Sequence, residues 1–188
     1  MAMHSYEHEH GHLPPAVVYG EDGTPLYSWR VALLPYIDEA IYNEFHLDEP
    51  WDSPHNLKLL PRMPYNYALP PRKAAQMKMP PGYTICHVFV GPGTPFEEGQ
   101  RLRSSEFPDG MCNTILIIEA GEPVPWTKPV DLQYAPDEPL PDLSSPFRDV
   151  IRLVCADCSR RHIPKTMSEA TLRAAITRNG HEIMGNDW

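Results

Sequence analysis

Ser28-Trp29-Arg30-Val31-Ala32-Leu33-Leu34-Pro35-Tyr36-Ile37-Asp38-Glu39-Ala40-Ile41-Tyr42-Asn43-Glu44-Phe45 is the stretch on which the fold turns. Trp29, Leu33, Tyr36, Ile37, Ala40, Ile41 and Phe45 recur at spacings of three and four, which places them on one face of an α-helix. An amphipathic helix with one buried face is therefore expected. Pro35 lies inside it, where a missing N–H donor and a ring clash cost about 3 kcal/mol, so the helix should kink or fall into two pieces.

Reading outward, Glu21-Asp22-Gly23 with Pro25 marks a turn on the N-terminal side. The His- and Glu-rich segment 1–12 reads as frayed last turns of a helix. On the C-terminal side, Ser53 before Pro54 has the form of a helix N-cap followed by proline at the first position, predicting a short helix through Leu60. Prolines at 61, 64, 70, 71, 80 and 81 then leave room only for a short edge strand near Tyr65 to Leu69.

Strand signals dominate the second half. Tyr83 to Val90 is rich in β-branched and aromatic residues and stops at Gly91-Pro92-Gly93. Asn113 to Glu119 holds the apolar run Ile115-Leu116-Ile117-Ile118, which suits a central strand covered on both faces. Residues 122–148 are proline-rich and read as an ordered loop anchored by Trp126, Leu132, Tyr134 and Leu140. Asp149 to Ala156 and Ser159 to Ile163 form a hairpin. Thr166 and Glu169 make a capping box for a short C-terminal helix over Leu172 to Arg178, which Asn179-Gly180 should end in a left-handed conformation. The expected fold class is α+β: a small, mainly antiparallel sheet, a kinked helix, a short C-terminal helix and long proline-rich loops.

A chain of 188 residues fits one domain, expected to span 1–188. Its formal charge of -9, with no cationic run longer than Arg160-Arg161, argues against nucleic acid as a partner. No stretch approaches the length of a membrane span and no signal peptide is evident, so as written the chain reads as cytoplasmic and its four cysteines as reduced thiols.

Six collinear motifs resemble one family. They are Ser28 to Tyr36; Leu47-Asp48-Glu49-Pro50-Trp51-Asp52-Ser53; Val88-Phe89-Val90-Gly91-Pro92-Gly93-Thr94; Asn113-Thr114-Ile115-Leu116; Glu119-Ala120-Gly121-Glu122; and Val124-Pro125-Trp126-Thr127-Lys128-Pro129. Together they resemble the proteins of unknown function numbered DUF1559, a paralogous group typical of planctomycete-type bacteria. Ala2 to Tyr6 and Gly11 to Pro15 also look like that family just after its N-terminal helix. The resemblance implies a pseudopilin-like, pilin-type globular domain, with segment 1–12 as the remnant of a prepilin helix that would otherwise anchor it at the membrane, periplasmic or surface side. It implies protein partners or self-assembly in secretion or at the surface. Where the family's last hairpin reads Ala-Asp-Gly-Ser, this chain has Ala156-Asp157-Cys158-Ser159. A cysteine at positive φ is strained by roughly 1 kcal/mol or more, unless the turn changes type.

Several groups of residues carry candidate chemistry. Trp51, Asp52, Trp126 and Lys128 are candidate ligand contacts, since tryptophans beside prolines stack on sugar rings or receive a partner's proline; packing of those rings is the alternative. His4 and His8, at i and i+4, and Cys155 with Cys158, in Cys-x-x-Cys spacing, are candidate metal ligands for zinc. The acidic loop Asp48 to Asp52 has oxygens for calcium but not the glycine-punctuated spacing of an EF-hand. No Gly-x-Ser-x-Gly elbow, phosphate-binding glycine loop or His-Glu-x-x-His helix occurs, so the chain reads as a protein that binds or assembles without catalysing, with no resident cofactor.

Overall fold

The computed structural model describes residues 1–188. Short helices accompany one four-stranded sheet and two strand pairs, an α+β architecture. No helix is long and apolar enough to cross a membrane. The chain forms two compact units, Met1–Ile85 with Pro123–Val130, and Cys86–Glu122 with Asp131–Trp188.

Unit 1 opens with α1 (Ala2–His10), closed by Gly11 at φ 77, whose N–H donates to the Glu7 carbonyl. Met3 is buried and Tyr36 Oη donates to Glu9, so this segment is a capped, packed helix and not the frayed end expected. β1 (Val17–Tyr19) and β2 (Pro25–Ser28) pair antiparallel. Ser28 then caps α2 (Trp29–Ala32) by accepting from Arg30 N–H. Of the two outcomes expected at Pro35, a kink or two pieces, the second is found: α2, a 3-10 turn over Leu34–Tyr36 and α3 (Glu39–Glu44).

The division of that helix has a local cause. Pro35 brings no N–H to the ladder, and the Asp38 side chain accepts from Ile41 N–H, which starts a fresh helix. Of the expected apolar face Trp29, Leu33, Ile41 and Phe45 are buried, Tyr36 and Ile37 partly buried and Ala40 exposed, while Leu34 joins the core. A 3-10 segment follows over Asn56–Arg62, preceded by Ser53, whose Oγ accepts from Asn56 N–H. The expected strand near Tyr65 to Leu69 is instead a 3-10 turn, Tyr65–Tyr67, because Tyr67 N–H turns back onto the Pro64 carbonyl. α4 (Pro71–Gln76) carries proline at its first position.

In the sheet, β3 (Tyr83–His87), β5 (Ile115–Pro125), β7 (Val150–Cys155) and β8 (Arg160–Pro164) are neighbours in that order. β5 pairs antiparallel with β7, through an irregularity between Ile115 and Ile117, and β7 pairs antiparallel with β8. β4 (Phe89–Val90) and β6 (Leu132–Gln133) form a short parallel pair. The expected strand over 83–90 thus breaks at Val88, and the proline-rich loop over 122–148 contains the end of β5 and all of β6. Gly91, at φ 147, meets the Tyr134 carbonyl so closely that an added Cβ would lie 1.9 Å from its oxygen.

The core of unit 2 gathers Phe89, Ile118, Ile151, Leu153, Ile163, Leu172 and Ile176. α5 (Glu169–Ile176) supplies the last two, and its N-cap is Ser168, which accepts from Thr171 N–H, in place of the expected Thr166. Met167 N–H is bonded to the Pro164 carbonyl, a turn that leaves the cap to the next hydroxyl. Nor does Asn179-Gly180 end the helix. Thr177 is already extended, and Asp109 accepts from the N–H groups of Gly180 and His181.

Candidate functional site

The most elaborated surface of unit 1 is the segment between Phe45 and Leu60, which has almost no regular structure of its own. Its organiser is Asn56, fully buried. Asn56 Oδ1 accepts from His46 N–H at 3.0 Å, while Nδ2 donates to the carbonyls of His46 (3.0 Å), Pro50 (3.0 Å) and Glu49 (3.4 Å). One side-chain amide therefore replaces the backbone ladder that the prolines deny this stretch. His46 and His55 stack face to face at 3.5 Å, and His55 Nε2 is 2.8 Å from the Glu44 carbonyl. The Ser53 hydroxyl and His46, at 2.9 Å through Nδ1, hold the Glu49 carboxyl below its usual range. Arg62 closes the group on Glu44 at 2.9 Å.

What this braced loop displays is Trp51, partly exposed, and Asp52, exposed. Trp51 N–H donates to the Leu26 carbonyl, and Lys128 Nζ lies 5.7 Å from the centre of the Trp51 ring. The structure thus brings Trp51 and Lys128 together across a long stretch of sequence. Trp126 does not join them. It is fully buried, with its indole N–H donated to the Leu60 carbonyl at 3.1 Å and its ring stacked on Tyr67. Of the two tryptophans singled out as contact residues, Trp126 is a packing residue, which corrects the surface role expected for it.

The metal candidates gather no third ligand. His4 Nδ1 is 3.4 Å from Glu7, and His8 is exposed on the same helix. Cys155 is buried, and burial pushes its thiol up, away from the thiolate a metal needs. Cys158 sits at the tip of the β7–β8 hairpin at φ 68, its N–H on the Cys155 carbonyl, so the cysteine does take the strained conformation of the family's glycine. Across residues 1–188 no three His, Cys, Asp or Glu side chains assemble to hold a metal ion.

Two polar arrangements in unit 2 were not anticipated. His87, the last residue of β3, is buried with Nδ1 3.4 Å from Asp131 Oδ1 and Nε2 3.1 Å from the Glu122 carbonyl; the same Asp131 oxygen accepts from Val88 N–H. Both ring nitrogens thus face acceptors within the fold. No sequence signal marks this pairing, which depends on where β6 begins.

The second arrangement is a row across three strands, Glu119 of β5, Arg152 of β7 and His162 of β8, aligned by register. Arg152 Nη1 is 3.3 Å from Glu119 Oε2 in an ion pair that lacks hydrogen-bond alignment, and that oxygen, itself buried, has no donor. Burial raises the Glu119 carboxyl, with Arg152 and then His162 opposing. The period-2 alternation of Val150 to Cys155 is the sequence signal that separates Arg152 from the core-facing Ile151 and Leu153.

With these positions in place, comparison with known proteins is informative at the family level. The family described as "Protein of unknown function (DUF1559)" matches residues 1–95. That stretch includes the motifs at Ser28 to Tyr36, Leu47 to Ser53 and Val88 to Thr94. No curated protein and no solved structure matches the chain.

Proposed function

Because the chain belongs to the DUF1559 family of proteins of unknown function, we propose that it is a non-enzymatic, pseudopilin-like domain acting through protein contacts in a secretion or surface assembly. The observation that carries this reading is the loop organised by Asn56. Hydrogen bonds from the buried Asn56 hold an irregular, proline-bearing segment in one conformation, and the segment presents a partly exposed indole beside a lysine. An amphipathic ring on a pre-ordered loop is a low-entropy contact element. The imidazoles of His46, His55 and His87 support the same reading, since each is engaged with a fixed acceptor and serves to brace the backbone.

The test is sedimentation of envelope and soluble fractions from the native host. Wild type is expected in a particle larger than the monomer, and the Trp51→Ala, Lys128→Glu double variant at monomer size with an unchanged circular dichroism spectrum. Wild type found only as a monomer overturns the proposal. Glycan-array binding that disappears in Trp51→Ala, with no assembly, replaces the partner protein by a carbohydrate.

A further inference from the structure

The one Arg-Arg pair of this acidic chain, Arg160-Arg161, opens β8, the outermost strand of the four-stranded sheet. The hairpin's own hydrogen bonds show which way its backbone groups face. Cys155 N–H donates to the Ser159 carbonyl, and Lys165 N–H donates to the Asp149 carbonyl. With Leu153 opposite Arg161 and Ile151 opposite Ile163, residues 159, 161, 163 and 165 are the ones bonded to β7. Antiparallel alternation then turns the N–H and C=O of Arg160 and His162 outward, onto the free edge. Pro164 ends that stretch, for it has no N–H and its carbonyl accepts from Met167.

Both outward residues are exposed. Their side chains share one face of the strand, roughly 7 Å apart, with Arg152 directly opposite His162. The nearby acids do not cancel this charge. Glu119 lies two strands inward against Arg152, and Asp157 accepts from Ser159 N–H at the hairpin tip.

Charges on an edge strand ordinarily oppose sheet-to-sheet association. Here the fixed charges, Arg160 and the Arg152 opposite His162, are of one sign, so they oppose selectively. A second β8 laid alongside would set one Arg160 and Arg152 face against its like, whereas an incoming strand with carboxylates two residues apart would complete the ladder and place one acid opposite Arg160 and the other opposite the His162 ring N–H. We propose that the Arg160–His162 edge is a strand-addition site for an extended acidic segment of a partner protein, in an acid–apolar–acid pattern. The apolar residue would fall on the other face, beside Arg161 and the Trp188 ring that its guanidinium covers at 4.5 Å.

Calorimetric titration with the peptide Ac-Glu-Val-Glu-Val-Glu-NH2, alongside amide hydrogen exchange, tests the proposal. The acidic peptide is expected to bind wild type, to weaken by about tenfold in Arg160→Glu, His162→Glu, and to slow exchange at the amides of residues 160 and 162. The Lys-Val-Lys-Val-Lys analogue is expected to prefer the reversed variant. No binding, binding indifferent to the reversal, or binding that leaves both amides unprotected overturns it; the last would mean diffuse attraction only. Both positions are exposed, and circular dichroism checks that the variant is folded. The titration reads only β8, so its failure leaves the Trp51 surface untouched, and the sedimentation test can fail without affecting it.

Discussion

Unit 1 and unit 2 obtain order in opposite ways. In unit 2 the backbone groups are largely satisfied by strand ladders, and side chains are left to pack or to face water, as the alternating burial along β7 shows. In unit 1 the stretch from Phe45 to Leu60 has no ladder, and buried polar side chains take its place: Asn56 for the loop, Trp126 for the Leu60 carbonyl, Ser28 for the Trp126 carbonyl. The lesson is that proline-rich chain becomes rigid when tertiary side chains supply the partners its own backbone lacks. Such a region depends on single residues in a way that a ladder does not.

That contrast is open to attack in order of expected effect. Trp126→Ala should destabilise unit 1 by about 3–5 kcal/mol, through cavity formation and an orphaned carbonyl; urea unfolding followed by circular dichroism measures it. Asn56→Ala is the sharper probe, because it removes little volume. A loss of about 2 kcal/mol or more is expected, with faster amide exchange at His46, and a loss near zero would show the loop to be held by something else.

Unit 2 should respond more mildly. Cys158→Gly is expected to stabilise it by about 1 kcal/mol, since glycine takes positive φ without the Cβ clash. The smallest effect concerns the open face. Glu119 has a carboxyl raised by burial, so its protonated form is the one the fold favours. Stability from this group is then greatest at acid pH and is lost as pH rises from the unfolded carboxyl's range through the raised folded value. Glu119→Gln should accordingly be at least as stable as wild type at neutral pH, with the difference vanishing below about pH 4; a variant that is clearly weaker at pH 7 would mean that the Arg152 pair outweighs burial. Asp187 makes the control, for its carboxyl is lowered by Ser168 N–H and Thr171, and the stability it contributes is lost as pH falls.

The same contrast explains how much could be read from the sequence. Strands β5, β7 and β8 and the buried face of Trp29 to Phe45 follow from apolar periodicity, a local property. The strain at Cys158 was legible only through the family resemblance, which puts glycine at that turn. The 3-10 turn at Tyr65–Tyr67 was misread because proline punctuation says where regular structure ends but not what replaces it. The cap of α5 was misread because Thr166 and Ser168 both have hydroxyls, and the choice fell to a turn at Pro164. The roles of Asn56, Trp126 and His87 are tertiary. Trp51 stood out as aromatic and Lys128 as its neighbour in chemistry, but only folding puts Trp51 at the surface and Trp126 inside.

The placement of the indoles has a practical consequence. Three of the chain's four tryptophans, Trp29, Trp51 and Trp126, belong to unit 1, two of them fully shielded from water, and Trp188 alone represents unit 2. Intrinsic emission is therefore weighted toward the unit that holds the loop organised by Asn56, and replacing Trp188 by phenylalanine would give a protein whose tryptophan emission reports that unit alone.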